Sequence, residues 1–145
     1  MLINNSNLFG KLPVAELMDF EKENGIKLPE DYKNFLLTHN GGVPFPNNNP
    51  NPSTPVAYIF GMHNGEYYAS LYKHIDMFSK RLPFDTFPIA SDPFGNLFIM
   101  SLNPEGLGNV YFWDHEGEPT NQDGHYTDNT SFVAISFTEF LDNLR

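Results

Sequence analysis

The sequence predicts a single α+β domain with a central, mostly antiparallel sheet and helices packed against it. Three observations carry that expectation. Apolar residues recur at helical spacing through the first half; from Phe87 onward they fall into short runs separated by turn formers; and 145 residues are too few for two ordinary domains. A composition that is 40% hydrophobic and 15% aromatic supplies a core and excludes wholesale disorder.

Residues 13–24 read as the first helix. Pro13 suits the first helical position, Val14, Leu17 and Met18 share a face, and Gly25 can take the left-handed stop, letting Ile26 fold back onto Phe20. A second helix opens at Pro29, with Glu30 and Asp31 in its first turn and Leu28, Tyr32, Phe35 and Leu36 at i, i+4, i+7 and i+8. His39 falls in its last turn, and Asn40, Gly41 and Gly42 stop it. Residues 43–55 hold five prolines and four asparagines, which removes so many amide donors that a long exposed loop is expected.

Residues 56–60 form a short β-like run that ends in a turn at His63, Asn64 and Gly65. Tyr68, Leu71, Tyr72, Ile75 and Phe78 then mark a third amphipathic helix, with Lys80 and Arg81 near its end. Apolar runs at 87–91, 97–102, 110–114 and 132–135 predict an antiparallel meander. The runs LFIM (97–100) and VYFW (110–113) do not alternate, so both faces of these central strands should be covered. Ser136 and Glu139 form a capping box before a short last helix, Ile135 and Phe140 are spaced for a hydrophobic staple, and Phe140, Leu141 and Leu144 should face the core.

The charge is lopsided. Eighteen Asp+Glu against eight Lys+Arg leave a formal net charge of -10, and residues 82–144 contain ten Asp/Glu and no Lys or Arg. Such a field repels phosphate backbones and attracts cationic surfaces, so direct nucleic-acid binding is disfavoured. The longest apolar run, at 56–60, is far short of the ~20 residues a bilayer crossing needs, and no basic leader precedes an apolar stretch. A non-membrane, cytoplasmic protein is expected. Zero cysteines remove disulfides, thiol nucleophiles and cysteine-ligated metal.

No catalytic motif survives inspection. The five histidines, His39, His63, His74, His115 and His125, show neither H-E-x-x-H nor an i, i+4 pair. Asn121 to Gly124 hints at a calcium loop, but Pro119 and Thr130 stand at the first and twelfth ligand positions. Ser70 and Lys73 match S-x-x-K without its companion motifs, and no nucleophile elbow or phosphate loop occurs. No cofactor, metal site or catalytic residue is assigned; a hydrolase or metal enzyme using His115 with Asp92 or Asp114 is the weakest reading.

The stretch LPEDYKNFL (28–36) followed by NGG (40–42) resembles the SUKH superfamily, named partly for yeast cell-wall synthesis regulators. FPIASDPFGN (87–96), VYFWDHE (110–116) and FVAISFTEFL (132–141) follow in the order that family shows, so the resemblance spans roughly residues 13–144. It implies the same α+β architecture. It also implies one of two roles: a bacterial immunity protein that binds and blocks a cognate polymorphic toxin, or a regulatory scaffold related to cell-wall synthesis regulators. No catalytic residues come with it.

On the first reading the acidic half docks onto a cationic toxin, such as a nuclease domain, through Asp92, Asp114, Glu116, Glu118 and Asp123, with Trp113 either an aromatic anchor or a core residue of its apolar run. On the second, the proline-rich 43–55 loop binds a peptide or protein partner; the alternative for this segment is a simple spacer loop.

Overall fold

The computed structural model describes residues 1–118 and 124–145. The chain opens with β1 (Leu2–Asn4) and two helices, α1 (Val14–Asn24) and α2 (Glu30–His39). Pro13 stands in extended backbone just before α1, and Gly25 closes it at φ 62°, ψ 35°. The face that α1 buries is narrower than its sequence predicts. Leu17 is in the core and Phe20 packs against it, but Val14 and Met18 lie in solvent, Met18 being 61% exposed. A helix at the periphery of a sheet needs only a thin apolar stripe.

In α2, Tyr32, Phe35 and Leu36 are buried as the spacing predicts. The left-handed stop is Asn40, at φ 43°, rather than either glycine after it. Its buried amide donates to Gly10 O (2.9 Å) and Met62 O (3.2 Å) and accepts from Met62 N (2.8 Å), joining three parts of the chain. The chain at Gly61 passes directly over this corner, where a Cβ would collide with the Asn40 carbonyl. Glycine is required there for close approach of two backbones.

The 43–55 segment is not the loop its prolines suggest. β2 (Val43–Phe45) pairs antiparallel with β1, and β3 (Asn48–Pro50) pairs with β4 (Ser53–Pro55). Asn48 exchanges backbone hydrogen bonds with Arg145 at 2.9 and 3.0 Å, and Asn49 and Thr54 are buried. Each pair is only two-stranded, so proline can sit where no partner asks for its missing N–H.

The main sheet comprises β5 (Tyr58–Ile59), β6 (Thr86–Ser91), β7 (Leu97–Ser101), β8 (Val110–Trp113) and β9 (Thr130–Ala134), in that order and antiparallel throughout. Between β5 and β6 run a 3-10 turn (Tyr67–Ala69) and α3 (Leu71–Phe78); α4 (Phe137–Asp142) closes the chain. Ser70 caps α3 by accepting from Lys73 N, which accounts for the S-x-x-K spacing without any chemistry.

Helices cover both faces of the sheet. On one, Phe87 meets Tyr32 of α2 and Phe98 meets Phe140 of α4; on the other, Trp113 meets Phe78 of α3 at 5.7 Å between ring centroids. Because Leu97 pairs with Trp113 and Phe98 with Phe112, both sides of β7 and β8 are buried. At α4, Glu139 N donates to Ser136 Oγ, as the capping box requires. The staple does not form, since Ile135 is 63% exposed while Phe140 is fully buried. The Glu139 carboxylate instead reaches back to Ile135 N at 2.7 Å, and that bond sets the entry of the helix.

Candidate interaction surface

The register Leu97↔Trp113 sets the β6–β7 turn beside the exit of β8, so Asp92 and Asp114 to Glu118 share one end of the sheet. Asp123 lies outside the described residues. At that end the carboxylates do different work. Asp92 is 5% exposed: its Oδ1 accepts from Phe94 N (2.8 Å) and Asn96 N (2.9 Å), its Oδ2 from Asn96 Nδ2 (2.9 Å) and Thr54 Oγ1 (3.0 Å). It organises the turn and ties it to β4. Expected as a docking carboxylate, Asp92 is instead interior, because four donors occupy its oxygens.

The Asn96 side chain passes this order on, accepting from His115 N at 3.1 Å, while the His115 ring donates from Nε2 to Phe94 O at 2.8 Å. Asp114 Oδ1 accepts from Glu116 N (3.0 Å), capping the 3-10 turn His115–Gly117, and the Asp114 backbone exchanges two hydrogen bonds with Asn129. Glu118 is engaged by Arg81, which donates from Nε (3.1 and 3.3 Å) and Nη2 (2.8 Å). The Arg81 guanidinium carbon also lies 4.7 Å from the Phe78 ring centroid and 5.3 Å from that of Trp113. Trp113 itself is fully buried, so of its two readings, aromatic anchor or core residue of an apolar strand, it takes the core position. An apolar strand covered on both faces leaves its largest ring nowhere else to go.

Of the six residues named from the sequence, five are described: Glu116 is exposed and without an ion pair among the described residues, Asp114 is half-buried, Glu118 is paired, and Asp92 and Trp113 are inside. Sequence reasoning missed Arg81. It sits in the half of the chain whose charges nearly balance, and only the packing of α3 beside β8 carries it to Glu118, 37 residues away.

The other histidines are each held by a hydrogen bond: His39 shares one with Ser6 Oγ, His63 accepts from Gly65 N, His74 donates to Ser70 O and His125 to Leu82 O. Burial holds His63 and His74 below the usual histidine range. No three His, Asp or Glu among the described residues gather where they could share a metal ion. A wide trough of about 800 Å³ lies between α1 and the β7–β8 connection, lined by Met18, Ile26, Leu102 and Leu107; none of the expected docking residues among those described borders it. No helix among the described residues is long and apolar enough to cross a membrane.

Fold and site together define a small acidic α+β domain in which carboxylates build turns, and one of them meets an arginine, at one end of a five-stranded sheet. The chain belongs to the SMI1/KNR4 family (SUKH-1), which it matches over residues 11–143. That family includes toxin immunity proteins. The chain is also similar to an SPbeta prophage-derived uncharacterized protein, YokK, of Bacillus subtilis (strain 168): 29% identity over 150 residues, covering 89% of this chain and 72% of that protein.

Proposed function

We propose that this protein is a cytoplasmic immunity protein, not an enzyme, which neutralises a cognate toxin by stoichiometric binding, and that the toxin presents a cationic face such as a nuclease cleft. The observation that carries this reading is the sheet end. Its backbone is held by the Asp92, Asn96 and Asp114 hydrogen bonds, and it displays Glu116 from the half of the chain that contributes nearly all the net negative charge. A preorganised surface loses little conformational freedom on docking, and its field steers a basic partner toward it. Membership of a family that includes immunity proteins supports the same conclusion.

The test is co-expression with a basic nuclease toxin domain encoded beside this gene. A one-to-one complex that no longer cleaves nucleic acid is the expected result. Undiminished cleavage by that domain, with the two proteins eluting separately, would overturn the reading.

A further inference from the structure

Against the same sheet end, the 3-10 turn and α3 enclose a cavity of about 230 Å³ that none of the roles above uses. One wall is aromatic: Tyr67, Tyr68, His74 and Phe78. The other is the β6–β7 turn with Asp92 and Asn96. We propose that this cavity is a socket for a single cationic side chain, lysine or arginine, presented by the protein partner. The proposal rests on the partner being a cationic protein and adds the place where one of its charges is read.

Size comes first. Pockets for drug-sized ligands and cofactors run from roughly 300 to 1,000 Å³, so this one suits a side chain. Access comes next, since Tyr67 and Tyr68 are 43% and 51% exposed at the rim while His74, Phe78 and Asp92 are buried behind them. The rings are also fixed. Tyr67 stacks on His74 at 4.5 Å, His74 on Phe60 at 3.8 Å, and Tyr68 meets Tyr58 edge-on at 5.4 Å. The His74 Nδ1–H is committed to Ser70 O, and burial favours the neutral imidazole, so the wall adds no positive charge there.

Charge decides the occupant. Asp92 lines the cavity, and all four of its hydrogen-bond partners are neutral donors; no salt bridge among the described residues reaches it. Neutral donors stabilise a carboxylate without cancelling its charge. A buried carboxylate and the exposed tyrosine rings of the rim therefore act together on whatever enters, and both favour a cation. Because its four acceptor positions are filled, Asp92 attracts through its field rather than by a direct fork, so an ammonium and a guanidinium both satisfy it. The neighbouring Arg81, over Phe78, shows this aromatic cluster already hosting one cation, whose own charge is met by Glu118.

The test is an NMR titration of the ¹⁵N-labelled protein with n-butylammonium, n-butylguanidinium and, as a neutral isostere, n-butylurea, at constant ionic strength. Saturable shifts at the amides of Tyr67, Tyr68, Ser91, Gly95 and Asn96 with either cation, and none with the urea, are expected. Tyr67→Leu should weaken cation binding about fivefold, the loss expected for one ring face, and Tyr67→Phe should retain it. Equal shifts with the urea, shifts scattered over the surface, or no shifts would overturn the socket. Neutralisation of a cognate toxin by a Tyr67→Leu, Tyr68→Leu protein with undiminished affinity would also overturn it while leaving the immunity reading intact. Cation-specific binding without any toxin complex would do the reverse.

Discussion

Asp92 shows how much one carboxylate can organise. Its two oxygens hold the β6–β7 turn, fix Asn96 and reach β4 through Thr54, and Asn96 then receives the backbone of His115. Replacing Asp92 by alanine strands buried donors in two segments, and we expect a loss of about 3 kcal/mol, read as a lower urea midpoint at unchanged slope. Histidine titration gives a second expectation. His63 and His74 bind protons less readily folded than unfolded, because burial opposes their charged forms and, at His63, the Lys73 ammonium adds to that. Their contribution is therefore complete above the unfolded value, near pH 6.5, and is lost as the pH falls below it, at up to ~1.4 kcal/mol per pH unit for each group. His74→Phe should flatten the fall of the urea midpoint on acidification. A slope identical to that of the parent would place the titration elsewhere.

At the scale of elements, stop signals were legible and faces were less so. Pro13, Gly25 and Pro29 mark helix boundaries through backbone chemistry that acts locally, and the structure follows them. The exposure of Met18 and the unmade contact between Ile135 and Phe140 depend on what packs nearby, which helical spacing does not encode. Residues 43–55 misled for a related reason: β2 finds its partner in β1, some forty residues earlier, and β3–β4 is held by the last residue of the chain. The two kinds of glycine separate cleanly here. Gly61→Ala drives a methyl into the Asn40 carbonyl and should cost about 2–3 kcal/mol, whereas Gly25→Ala meets no atom and should cost about 1 kcal/mol for its left-handed backbone. Thermal denaturation of the two variants side by side would check the order.

For the whole molecule, the acidic half sets Asp92, Asp114, Glu116 and Glu118 at one end of the sheet and Asp85 and Glu105 at the other, and of those first four, burial and pairing leave Glu116 as the exposed charge. Glu116→Lys should therefore slow association with a basic toxin a few-fold at low salt, lessen its salt dependence and leave the melting temperature unchanged. Glu118→Lys should behave differently, setting a lysine against Arg81 and loosening the contact between α3 and the exit of β8. Stopped-flow association at two salt concentrations, with melting curves for both variants, distinguishes a steering charge from a structural one.

The α+β class, the antiparallel meander, the boundaries of the first two helices and the concentration of net negative charge were determined by the order of residues, because periodicity, turn chemistry and composition act over a few positions at a time. The third helix, expected from Tyr68, instead begins at Leu71 after a separate 3-10 turn and ends at Phe78. Which carboxylates would face solvent, that Trp113 would be walled in by α3, and that Arg81 would meet Glu118 were decided only when distant strands came into register. Burial and ion pairing belong to neighbours in space, and those neighbours are chosen by the packing of the whole chain.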